Sequence, residues 1–194
     1  MKIIISAGHN KISDPGATVG EWKESEINMK IRDEVKKLMP WVICPPDNLY
    51  SGETVQWINE HVSRDALALD IHQNANNNPL ARGTEAYYDD EPELAEIMAK
   101  NVASALGTPY RGAKHESESY RQHLGFLERL KCSSTLVEVC YLTNDLDRGL
   151  ITTERGQIAA AVGIRNGIRE YLGFMQSLLM KIEELKAKIK QYAR

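Results

Sequence analysis

The chain predicts an α/β layered fold with a largely parallel sheet. Apolar strand-like runs alternate with helical periodicity through the first 172 residues, the pattern of a sheet covered by crossover helices. Three of those runs close on a reactive side chain: KIIISAGH on His9, LALDIH on His72 and TLVE on Glu138. In open α/β sheets ligands bind at the carboxyl ends of the strands. Core packing does not explain imidazole, imidazole and carboxylate delivered to one edge.

Residues 2–6 read as a buried strand, and 7–23 as a polar, Gly-rich loop. From Glu24 the apolar residues Ile27, Ile31, Val35 and Leu38 fall four, four and three apart, one face of a helix that Pro40 ends. Residues 41–44 form a short strand closed by Pro45 and Pro46, and 52–64 a helix. Residues 66–72 are a strand, 76–79 a loop, 84–88 a strand and 91–106 a helix ended by Gly107. The stretch 108–123 is polar and shows no clear element, and 124–127 reads as a strand. Residues 135–141 are the fifth or sixth strand, and a helix follows from about Thr153 to Leu172. Gly173 then punctuates the chain. Two segments result, a globular domain at 1–172 and an amphipathic helix at 173–194.

The 194 residues suffice for one domain with a sizeable core. A formal charge of -3 argues against a nucleic-acid partner, which selects for basic surfaces. Cys44, Cys132 and Cys140 are odd in number and widely spaced, so they read as three reduced thiols, not a disulfide framework. No run approaches the ~18 apolar residues of a membrane span, so no integral membrane association is expected. The apolar stretch after Lys2 is too brief for the core of a signal peptide. Synthesis in the cytoplasm without an export address is the resulting expectation.

Two imidazoles and a carboxylate with one open position suit a catalytic zinc ion, one per chain, held by His9, Glu24 and His72. Such an ion lowers the pKa of water to ~7 and polarises a carbonyl. Amide hydrolysis also needs a carboxylate to shuttle a proton, and Glu138 is the candidate. Each residue has a plainer explanation. His9 follows an Ala-Gly turn and reads as a loop residue. Glu24 and Glu26 both open a helix, where negative charge is favoured for structural reasons alone, and both compete for the ligand role. Glu138, flanked by Leu136, Val137, Val139 and Cys140, would be costly to bury unpartnered, and burial would raise its pKa toward acid/base use. His61 reads as a boundary residue of a helix, His115 as a solvated loop residue, and His123 has no assignment.

Four blocks in order also give the chain a family resemblance. They are Ala7-Gly8-His9 with Asp14-Pro15-Gly16-Ala17; Glu24-Ser25-Glu26-Ile27-Asn28; His72-Gln73-Asn74-Ala75; and Val137-Glu138 followed by Tyr141-Leu142-Thr143-Asn144. Over residues 1–172 the chain resembles the zinc-dependent N-acetylmuramoyl-L-alanine amidases of the amidase-3 type. These cut the amide between muramic acid and the first alanine of the peptidoglycan stem peptide. The resemblance implies a twisted, mostly parallel sheet of about six strands with helices on both faces. It selects Glu24 over Glu26 as ligand and makes bacterial peptidoglycan the partner. Asn74 and Asn144 become substrate-contacting or supporting residues. Two departures bear on the mouth of the site: Asn10-Lys11 stands where two glycines are common, and Val139-Cys140 where a small pair is usual.

The missing export signal points, within that family, to a bacteriophage endolysin released to the wall at lysis. In the tail, Leu178, Ile182, Leu185, Ile189 and Tyr192 recur at four, three, four, three, an a/d seam of about two heptads. It reads equally as a helix folded back on the domain and as a homo-oligomer contact through 174–194. Lys181, Lys186, Lys188, Lys190 and Arg194 make it locally basic, the pattern of a solvated helix face. Alternatives to the amidase are another zinc amidohydrolase or carboxypeptidase acting on peptidoglycan, a non-catalytic wall-binding module, and an assembly protein driven by the tail.

Overall fold

A five-stranded sheet organises the chain, in the order β1-β4-β7-β5-β6. In this computed structural model the described residues are 1–10 and 12–192, with side chains through 186. The strands are β1 (Ile3–Ala7), β4 (Leu67–Asn74), β5 (Thr84–Tyr88), β6 (Tyr110–His115) and β7 (Ser133–Tyr141). A two-stranded ribbon, β2 (Thr18–Val19) and β3 (Trp22–Lys23), lies in the first loop. The helices are α1 (Glu24–Leu38), α2 (Ser51–His61), α3 (Pro92–Leu106), α4 (Gly125–Arg129), α5 (Asp145–Ile151) and α6 (Glu154–Tyr192).

β1, β4 and β7 are parallel to one another, while β5 runs antiparallel to β7 and parallel to β6. The sheet is thus mostly parallel, with one reversal. Alternate side chains of each strand go to opposite faces. Ile3, Ile5, Leu69, Ile71, Val137 and Val139 pack with α1, α3 and α6. Ile4, Ala68, Leu136 and Tyr87 pack with α2 and α4. Both faces are therefore covered, as a parallel sheet requires.

Four expectations need correction. The sixth strand, at 41–44, shrinks to a single parallel bridge between Ile4 and Ile43. Ile43 both donates to Ile3 and accepts from Ile5 at 2.9 Å, but Pro45 and Pro46 follow at once and have no N–H to extend the ladder. The polar stretch 108–123 contains β6. The expected strand at 124–127 is instead the short helix α4, which buries Phe126 and Leu127 in succession. A four-residue apolar run fits either form, and only its neighbours choose.

The tail is the fourth. Gly173 does not break the helix, and α6 runs unbroken across it. A glycine in an exposed helix interior costs only about 1 kcal/mol, which strong helix formers on both sides offset. Tyr171 is buried in the core, whereas Phe174, Leu178, Leu179, Met180, Ile182 and Leu185 are exposed. The described part of the seam is therefore not folded back on the domain. Ile189, Tyr192, Lys188, Lys190 and Arg194 lie outside the residues whose side chains are described. Lys11 lies outside the described residues altogether.

Cys44, Cys132 and Cys140 are free thiols. Val139 and Cys140 are fully buried in the core with α3 and α6, so this departure lies behind the sheet and not at the mouth. The Cys140 thiol contacts the Gln73 amide oxygen at 3.4 Å.

Candidate active site

The carboxyl edge of β1, β4 and β7 carries the chemistry. The chain leaves β1 at Gly8 and turns at His9, whose φ of 68° is rare outside glycine and costs of order 1–3 kcal/mol. That turn swings the imidazole toward the start of α1. A Cβ on Gly8 would come 2.2 Å from the His72 ring, and one on Gly16 would come 2.5 Å from a Glu24 oxygen. Glycine at both places lets the backbone approach the cluster closely.

Glu24 opens α1, where the helix dipole favours a carboxylate. It is 3% exposed, and four groups surround its carboxylate. Oε2 accepts from the Ala17 N–H at 2.8 Å, while Oε1 accepts from the Gln73 N–H at 3.0 Å and faces His72 Nδ1 at 2.9 Å. His9 Nε2 lies 3.4 Å from Oε2. Asn28, one turn further along α1, donates to the Gly8 carbonyl oxygen at 3.1 Å and ties the turn to the helix. Glu24 belongs to this cluster and Glu26 does not.

His9, Glu24 and His72 each offer a ligand atom, all within 4.8 Å of one another. The far nitrogen of each imidazole meets a carboxylate: His9 Nδ1 meets Asp14 at 2.9 Å, and His72 Nε2 meets Asp70 at 3.1 Å. This is how metal-binding histidines are oriented and made basic. Burial disfavours a charged His72, but Asp70 and Glu24 outweigh it and raise its pKa well above the usual value. His9 is raised the same way, against burial, chiefly by Glu24. Burial likewise opposes ionisation of Glu24, and both imidazoles hold it far below the carboxylate range. The cluster favours positive charge, whether supplied by protons or by a cation.

Glu138 sits directly across from His72 in the β4–β7 ladder. One oxygen, Oε2, is buried with no hydrogen-bond partner among the described residues. Burial pushes its pKa up to about 8, opposed by His72 and reinforced by Glu24 and Glu85. A buried carboxylate left without a donor is costly, and such groups mark sites where protons move. All four side chains line one cavity of about 430 Å³, together with Asp70, Asn74, Ser119–Arg121 and His123–Phe126. Tyr120, on the rim, is fully exposed.

The other sequence candidates separate. Asn74 lines the cavity and donates to Glu85 at 2.9 Å. Asn144 does not line it. Its Oδ1 caps α5 by accepting from Leu146 and Asp147, and its amide donates to the Pro79 carbonyl oxygen at 2.7 Å. It acts as a loop clamp beside the end of β7. His61 stacks on Trp57 at the surface, and His115 caps the 3-10 turn Glu116–Glu118. His123 reaches the rim of the cavity.

Sequence reasoning missed Asp70, Glu85, Arg111 and Lys114. Glu85 pairs with Glu138 across β5–β7, so His72, Glu138 and Glu85 form one row over three strands. Because β5 runs backwards, its first residues lie beside the last of β7. Glu85 is 1% exposed and accepts from Arg111 at 2.7 Å and Lys114 at 2.6 Å. Burial would raise its pKa, and these two cations more than offset that and lower it. Its stabilising contribution is thus present above the unfolded carboxylate pKa and is lost as pH falls through the lower folded value. Denaturant melts across pH are therefore expected to show a shallower acid decline for Glu85→Gln than for the wild type below about pH 4. Identical acid limbs would count against this.

The model of a known protein family, described as N-acetylmuramoyl-L-alanine amidase, matches residues 3–170. The N-acetylmuramoyl-L-alanine amidase LytC of Bacillus subtilis is 29% identical over 180 residues, which is 87% of this chain and 35% of that protein. The chain thus spans about a third of that relative. Among solved structures, the catalytic domain of the amidase CwlV from Bacillus (Paenibacillus) polymyxa var. colistinus matches with a TM-score of 0.76 and 25% identity. The match covers 89% of this chain and 99% of that one. The amidase AmiC2 of Nostoc punctiforme shares the fold, with a TM-score of 0.78 at 21% identity over 89% of this chain and 97% of that one.

Proposed function

The chain belongs to the amidase-3 family of N-acetylmuramoyl-L-alanine amidases, and from that premise we propose that it hydrolyses the amide joining muramic acid to the first alanine of the peptidoglycan stem peptide, with one zinc ion held by His9, Glu24 and His72. The observation that carries this reading is the placement of Glu138, with its unpartnered buried oxygen, directly across a strand pair from one of three converging ligand groups. Two imidazoles and a carboxylate suit zinc, and the carboxylates behind both imidazoles complete the fit. The bound ion would supply Lewis-acid polarisation of the scissile carbonyl and a water of lowered pKa.

The protein's own residues do the rest. Asp14 and Asp70 fix the tautomer and direction of the two imidazoles. The Ala17 and Gln73 N–H groups hold the Glu24 carboxylate in place. Glu138 accepts the proton shed by the attacking water and delivers it to the amine nitrogen as the C–N bond breaks. Its raised pKa suits a group that must take and give a proton near neutrality, and a cation alongside draws the value down from about 8. Tyr120, exposed on the rim, offers a flat apolar face to sugar or peptide.

Chelation tests the reading. Stripping the metal is expected to abolish release of new alanine amino termini from purified peptidoglycan, and added zinc to restore it. Undiminished hydrolysis by protein shown by elemental analysis to be metal-free would overturn it. The products separate the alternatives. New L-alanine amino termini on an otherwise intact glycan mark an amidase, a freed C-terminal amino acid marks a carboxypeptidase, and wall binding without product marks a binding module. We propose separately that the chain acts as a bacteriophage endolysin. Coexpression with a membrane-pore protein is then expected to clear a susceptible culture, and its persistence would defeat that part.

A further inference from the structure

A second cavity, of about 690 Å³, opens beside the first and shares Asn74, Ala75, Tyr87 and Tyr120 with it. Resting on the amidase reading, we propose that this cavity seats a carboxylate of the stem peptide, with Arg111 and Lys114 as the groups that hold it.

The charge balance points there. Arg111 and Lys114, both from β6, converge on a single oxygen, Glu85 Oε2. The other Glu85 oxygen is taken by Asn74 and Tyr87 at 2.9 Å and approached by Tyr141 at 3.5 Å. One buried anion needs one cation to neutralise it. A second cation drawn to the same atom adds desolvation cost and like-charge repulsion, so a purely structural pair does not call for it. At Glu85 itself the surplus is one positive charge. Glu118 also lines the cavity, but it accepts from the His115 backbone N–H at 3.2 Å and forms no ion pair with either cation among the described residues.

The cations are also positioned. The Arg111 guanidinium lies over the Tyr141 ring, 5.1 Å from its centre, and the Lys114 ammonium lies 6.0 Å from the Tyr87 ring. Arg111 uses Nε for Glu85 and Nη1 for the Arg82 carbonyl oxygen at 3.4 Å, which leaves Nη2 without a protein partner among the described residues. A planar guanidinium held over an aromatic ring is well arranged to take a carboxylate.

Substrate chemistry chooses the ligand. The glycan sugars are uncharged, and the lactyl carboxyl is consumed in the scissile amide. The carboxylates of the substrate belong to the peptide. The second cavity therefore lies on the amine side of the bond that breaks.

A matched substrate pair tests this: N-acetylmuramoyl-L-alanyl-D-glutamate and its D-isoglutamine counterpart, which differ by one carboxylate. The zinc-loaded wild type is expected to cleave the carboxylate form with about tenfold higher kcat/KM, the difference lying in KM. Arg111→Gln and Lys114→Gln are each expected to bring that ratio toward one. Simple structural damage would lower both rates together and leave the ratio alone. Equal efficiency of the wild type on both substrates overturns the assignment and leaves the amidase reading standing. So does a preference that survives in both variants. Cleavage of neither substrate removes the amidase reading, and this inference with it.

Discussion

Glu138→Gln is expected to lower kcat on peptidoglycan by about 10²–10⁴-fold, the usual contribution of a positioned general acid–base, while bound zinc per chain and the melting temperature hold or rise. Glutamine keeps the shape of the side chain and removes its ability to carry a proton. It also ends the cost of a buried carboxyl that lacks a partner for Oε2 and is raised to about 8 by that burial. Activity therefore falls without loss of stability, which a structural role for Glu138 would not produce. Such trade-offs are expected where a site stores strain for function. Elemental analysis, a thermal melt and amine release measured on one preparation settle the matter. Full activity in the variant removes Glu138 from the mechanism, and loss of zinc would instead make it a ligand.

The largest loss of stability is expected away from the His9–Glu24–His72 cluster, at Asp147. Its carboxylate is fully buried and accepts only from donors: the Gly83 N–H at 2.7 Å, the Tyr141 N–H at 3.1 Å and Arg82 Nε at 3.2 Å. These bonds tie the entry of β5 to the exit of β7, the two strands that bring Glu85 beside Glu138. Asp147→Asn turns an NH₂ toward at least one of those donors and leaves Arg82 uncompensated. Breaking a buried charged network in this way costs about 3–5 kcal/mol, or about 10 °C in Tm for a chain of this size. A thermal melt within about 2 °C of the wild type would show that the network is dispensable. The proposed zinc ligands are not touched, so the zinc content of the folded fraction is expected to stay near one.

Much of the site was legible because its residues mark discontinuities. His72 and Glu138 interrupt apolar strands, Glu24 starts a helix, and His9 follows a glycine turn. Each is visible in one dimension because a polar group at the end of an apolar run is a local event. Asp70 lies in the same run as His72, but its role depends on which imidazole nitrogen it faces. Glu85, Arg111 and Lys114 were hidden by topology, since nothing local shows that β5 runs backwards or that β6 exists in a polar stretch. Asn144 was read as a substrate-contacting or supporting residue from the Tyr141-Leu142-Thr143-Asn144 block of the resemblance. The turn after Tyr141 instead directs it into the cap of α5.

The order of residues alone determined the alternation of strands and helices, the four chemical side chains and the amphipathic tail, because periodicity and helix starts are local properties of the chain. The placement of strand β7 between β4 and β5 was decided only by packing, as were the His72–Glu138–Glu85 row, the paired cations at Glu85, the single bridge at Ile43 and the passage of α6 through Gly173. The reason is that these depend on which backbone groups and apolar faces find one another across long separations. Burial and ladder hydrogen bonds settle that collectively, and no single segment encodes it.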